Sequence, residues 1–119
     1  NSVFFCFVLY LFNSYSYASS VSNFGQWKNL NSLSKTTYTA GVVDTFLHNF
    51  DVSENKKKIG ISLKTCLDDF RITIFEIANM IDIFYQNKKN WASTPQDAII
   101  VELINGHCFN YIDQPNGNE

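Results

Sequence analysis

Cys66, Cys108, His48 and His107 are the residues best suited by type to do chemistry, and their spacing argues for structure rather than catalysis. Thiolates and imidazoles bind zinc, but these four fall in no C-x-x-C or H-x-x-x-H arrangement. A cysteine nucleophile needs a free thiolate, which an oxidising compartment disfavours when a second cysteine can pair with it. Asp68 and Asp69 are adjacent, so their carboxylates point in different directions and do not by themselves form an acid–base pair. No glycine-rich phosphate loop, nucleophile elbow or H-E-x-x-H occurs. The residues point to a protein that is not an enzyme, with no metal site and no cofactor.

The compartment follows from the first residues. Val3 to Phe12 is an unbroken apolar run, followed by the small and polar stretch Asn13 to Ala18. That is the pattern of a secretory signal peptide, with Ser16 and Ala18 placed for cleavage before Ser19. The run is too short to span a bilayer, which takes about twenty residues, so no stable membrane insertion of the mature chain is expected. Neither a charged leading segment nor an initiator Met precedes it, and the true start is expected to lie upstream. The expected division is a leader over 1–18, a helical domain over 19–112 and a polar tail over 113–119. Cys6 leaves with the leader, and Cys66 and Cys108 remain as an even pair in an oxidising compartment. A bridge between them would contribute about 4 kcal/mol by chain-entropy arithmetic. The net charge of −2 gives no electrostatic footprint for nucleic acid, and 45% hydrophobic with 17% charged residues is ordinary for a globular domain.

Three helices are expected to position these residues, in an all-α, single-domain bundle with one intramolecular disulfide. The first runs from about Lys35 to Phe50, with Ser32 or Ser34 as its cap. Ala40, Val42, Val43, Phe46, Leu47 and Phe50 share its core arc. A second stripe, Tyr38, Gly41, Thr45 and His48, predicts close backbone approach at Gly41. Before this helix, Ser19 to Asn31 reads as an irregular arm or one short helical turn, packed onto the body by Trp27, Leu30 and Leu33. Asp51 to Lys58 reads as a solvated loop, and Ile59 to Leu63 alternates like a short extended piece. The second helix, Thr73 to Gln86, starts at a capping box of Thr73 with Glu76 and buries Ile74, Ile77, Ala78, Met80, Ile81, Phe84 and Tyr85. The third, Pro95 to Asn105, starts at a box of Thr94 with Asp97 and stops at Gly106. Its apolar residues run almost all the way round.

At this point the chain resembles the Rap/Tai family of periplasmic immunity proteins, over about Trp27 to Cys108. The resemblance rests on Lys35-x-x-Tyr38-x-x-Gly41-Val42-x-Asp44, on Cys66-Leu67, and on Tyr85 and Trp91. It continues through Ala98, Val101, Leu103 and Cys108. Lys89-Asn90 departs from the family, where a proline is common, and a glutamine often found near the start of the second helix is missing. The resemblance implies a small helical periplasmic protein, often a homodimer. Such proteins bind and block cell-wall amidase toxins delivered through type VI secretion, by covering the toxin's cleft with a surface loop.

Two sets of residues are expected to carry these contacts. Asp51, Glu54, Lys56, Lys57 and Lys58 form the candidate toxin-binding loop. Phe75, Ile83, Ile100 and Ile104 exceed what three helices need for one core and are the candidate dimer contacts. The alternative function is a small periplasmic acid-stress chaperone of the Hde type, also helical, secreted and held by a disulfide. It is distinguished by suppression of aggregation at strongly acidic pH. A third class, a small-ligand carrier with a pocket lined by Tyr38, Trp91 and Tyr111, is left open by the sequence without anything that positions the pocket.

Overall fold

The structure is a computed structural model and describes residues 21–48 and 54–112, with the side chain of Lys56 left aside. The expected leader, Asn49 to Ser53 and the polar tail lie outside the described residues. Among the described residues every regular element is helical.

Local signals place most helix starts. Asn23 caps α1 (Phe24–Lys28) by accepting the Gln26 N–H at 2.9 Å. Asn31 caps α2 (Ser32–Leu47) by accepting the Ser34 N–H at 2.8 Å. The cap of α2 is therefore Asn31, and Ser32 and Ser34 are already helical. Asn at this position satisfies an otherwise unpaired N–H as well as Ser does. Both capping boxes form. Thr73 starts α4 (Ile74–Phe84), with the Thr73 N–H on Glu76 Oε1 at 2.8 Å and the Glu76 N–H on Thr73 Oγ1 at 3.1 Å. Thr94 starts α5 (Pro95–Ile99) in the same way with Asp97. A 3-10 turn, Lys88–Asn90, connects them.

Two segments differ from expectation. The stretch read as a loop and an extended piece is α3, a helix over Glu54–Phe70. Leu63 and Cys66 are fully buried on it, with Ile59 and Leu67 partly covered, a spacing of three and four that suits one helix face. Burial of that face against α2 overrides the weak local preference of Gly60 and the β-branched residues. The third helix does not stop at Gly106. It runs on from α5 as a π-helix over Ile100–His107, closed by the Cys108 N–H on the Leu103 carbonyl at 2.8 Å. A last helical turn, α6 (Phe109–Ile112), follows.

The core is one cluster. α2 packs on α3 and α4, α4 packs on α5 and the π-helix, and α6 packs on α3 and the π-helix. Trp27, Leu63, Ile77, Ile81, Ile99 and Leu103 are fully buried. The α4 core face is as expected, whereas α2 buries Thr39 and Val43 and exposes Ala40. Leu33, expected to pack, is 75% exposed.

The two glycines exchange roles. A Cβ on Gly41 would meet nothing within 4 Å, so no backbone approaches there. A Cβ on Gly60 would lie 3.0 Å from the Leu47 carbonyl and 3.1 Å from that of Phe46. The close approach is between α3 and the end of α2, and Gly60 permits it.

Candidate functional site

The cysteines are joined. Cys66 on α3 and Cys108 after the π-helix form a disulfide with Cα atoms 5.7 Å apart, both fully buried. The bridge ties two non-adjacent helices and leaves no thiolate for catalysis or metal binding at either position. Among the described residues, no three His, Cys, Asp or Glu side chains gather where they could hold a metal ion.

Structural duties occupy the other polar groups. His48 caps the end of α2, its Nδ1 2.9 Å from an Asp44 carboxylate oxygen one turn back. Asp82 on α4 accepts the Trp27 indole N–H at 2.8 Å and lies 3.5 Å from the Lys35 ammonium, which also sits over the Trp27 ring. This clasp fastens α1 to α2 and α4. A second clasp is aromatic. Phe24 lies 5.1 Å from Tyr85 and 5.5 Å from Trp91, and the Trp91 indole donates to the Tyr85 carbonyl at 2.9 Å. Tyr85 donates to the Ser93 carbonyl at 2.6 Å. Burial pushes its phenol up to about 12, with the nearby Asp97 and Tyr38 adding to the effect. At the other end Tyr111 donates to Asp69 at 2.7 Å and packs edge-on against Phe70. That hydrogen bond is the main cause holding the Tyr111 proton above its ordinary range. Tyr38, Trp91 and Tyr111 thus serve three separate contacts, with Tyr38 donating to the Val21 carbonyl.

The described members of the candidate toxin-binding set sit at the head of α3 rather than in a loop. Glu54, Lys57 and Lys58 are exposed on its first turns, with Glu54 and Lys57 3.7 Å apart, and the Lys56 backbone is helical. Asp51 lies outside the described residues. An acidic side chain in a first helical turn is favoured by the helix dipole, which gives Glu54 a local structural role as well.

The four candidate dimer residues do not share a surface. Phe75 is 70% exposed in the first turn of α4 and Ile83 is 45% exposed near its end. Phe75 borders a shallow groove with Ser32, Lys35, Thr36 and Asp82. Ile104 is only 8% exposed and belongs to the core, and Ile100 is half-buried beside it. The reason is the π-helix, whose wide turns carry both residues inward. Together with Phe46, Ile59 and Ile112 they line a cleft of about 470 Å³ where the end of α2, the start of α3 and α6 meet the π-helix. Thr45, Gln96 and Asn105 add polar groups to its wall. Sequence reasoning missed this cleft because two of its elements are misread when α3 is taken as a loop and an extended piece and the π-helix as a short α-helix.

The buried disulfide is consistent with folding in an oxidising compartment. No helix among the described residues is long and apolar enough to cross a membrane. No family model matches the chain, and no curated protein or solved structure matches it significantly.

Proposed function

We propose that the protein is a periplasmic immunity protein that binds a type VI secretion cell-wall amidase and blocks it by covering its active-site cleft. The observation that carries a binding role is a contrast within the molecule. A disulfide-stapled core coexists with Leu33, Ile61 and Phe75, each at least 68% exposed, and with a charged helix head at Glu54, Lys57 and Lys58. Large exposed apolar side chains together with charged groups on the surface are the makings of a protein interface. The amidase as partner is drawn from the resemblance carried by Gly41-Val42-x-Asp44, Cys66 and Cys108. The secretory leader read in the sequence would deliver the chain to the same compartment as such a toxin.

A second copy is the other proposed partner, with Phe75 and Ile83 on one face of α4 as its contacts. Ile100 and Ile104 are not proposed for it, because they line the cleft.

The test is whether a cell-wall amidase gene adjoins this one and whether the purified chain inhibits its product. Stoichiometric inhibition by the purified chain supports the reading, and an unaffected amidase sinks it. Replacing Asp51, Glu54, Lys56, Lys57 and Lys58 by Ala should weaken inhibition at unchanged melting temperature. Full inhibition by that variant moves the contact away from the head of α3. Light scattering at micromolar concentration checks the dimer, with a monomer counting against it.

A further inference from the structure

Beyond toxin binding, we infer that the cleft against the π-helix is a binding site for a small uncharged amphipathic molecule, an alkyl or acyl chain bearing a hydroxyl or amide group. Three observations converge on it. Its volume, about 470 Å³, lies in the range of ligand clefts and above that of packing voids. Its wall is built on Phe46, Ile59, Ile100 and Ile104, so an apolar body is favoured. It is formed on a π-helix, a rare geometry frequently found at functional sites, and that helix supplies Ile100, Ile104 and Asn105 to the wall.

The polar lining selects the head group. Gln96 and Asn105 present carboxamides, each with donors and an acceptor, and Thr45 presents a hydroxyl. Among the described residues that line the cleft, none is Lys, Arg, His, Asp or Glu. Against these described residues an ionised head group would find no counter-charge, which is costly in apolar surroundings. A hydroxyl or amide head can instead exchange hydrogen bonds with the carboxamides.

The full chain with its disulfide intact is titrated with N-phenylnaphthylamine, a neutral probe that fluoresces in apolar surroundings. Saturable binding is expected, with displacement by decanol at least tenfold stronger than by decanoate at neutral pH. Ile100→Trp fills the cleft and should weaken probe binding at least tenfold. Thr45→Phe, at an exposed position on α2, fills it from the opposite wall and serves if the first variant unfolds. Lys89→Ala, in the 3-10 turn outside the cleft, should bind as the parent does. The inference is overturned by the absence of saturable binding, or by equal displacement by decanoate. Parental affinity in a folded cleft-filling variant overturns it too. Amidase inhibition is unaffected by any of these outcomes, so the two proposals fail separately.

Discussion

The two ends of α3 are held by different means. At its C-terminal end the helix is bonded through Cys66 to Cys108, hydrogen-bonded through Asp69 to Tyr111, and packed through Phe70 on the same ring. It stops in a turn in which the Ile72 N–H reaches the Leu67 carbonyl at 2.9 Å and Arg71 adopts φ 53°. Toward its N-terminal end Gly60 approaches the last carbonyls of α2, and beyond it Glu54, Lys57 and Lys58 are exposed. One end is anchored covalently and by side chains, the other by the absence of a side chain. The difference teaches that the head of α3 can carry exposed charged residues because its position is set further along the helix, at Gly60.

The largest test of this asymmetry is removal of the bridge. Cys66→Ala with Cys108→Ala should cost about 4 kcal/mol, roughly 15–30 °C in melting temperature for a domain of this size. A fall of only a few degrees would mean that side-chain packing alone anchors that end. Next comes Gly60→Ala. Its methyl would press on two backbone carbonyls that cannot rotate away, and a loss of about 1–2 kcal/mol is expected despite Ala's better helix propensity. Gly41→Ala is the control of opposite sign. That site is open and helical, so the same change should stabilise by about 1 kcal/mol. Urea denaturation of the pair separates the two signs, and matching signs would remove the close approach at Gly60 from the account. The smallest effect is expected at Arg71→Gly. Relief of the left-handed backbone outweighs the added freedom of the unfolded chain, and a gain of about 0.5 kcal/mol is expected. A loss there would show that the Arg71 side chain contributes more than its backbone costs.

The same asymmetry explains what could be read from the sequence. α4 and the start of α5 were legible because capping boxes and apolar period agree, so each local choice supports the same helix. The disulfide was legible from cysteine number and compartment. α3 was not, since three lysines, Gly60 and the alternating Ile59 to Leu63 each read locally as loop or strand. Its one helical signal was the longer stripe of Leu63 and Cys66, with Ile59 and Leu67 beside them, and that stripe becomes helical only through burial against α2. The π-helix left a faint mark as well. Ile99, Leu103 or Ile104, and Cys108 recur every four to five residues, wider than an α-helix requires. Gly106, taken as a stop, lies inside that wide turn with its Cα side 3.2 Å from the Val101 carbonyl for any added Cβ. The cleft was beyond reach because it depends on both misread segments at once.

The bridge also divides the chain topologically. The 43 residues from Cys66 to Cys108 form a closed covalent ring holding α4, α5 and the π-helix, whereas α1 and α2 attach to it through packing, the Trp27 and Phe24 clasps and the Phe24 N–H on the Trp91 carbonyl. Under mechanical tension applied at the two termini, α1, α2 and the first half of α3 can be drawn out while the ring stays shut. The fully stretched oxidised chain should therefore fall short of the reduced one by roughly 140–150 Å of contour length.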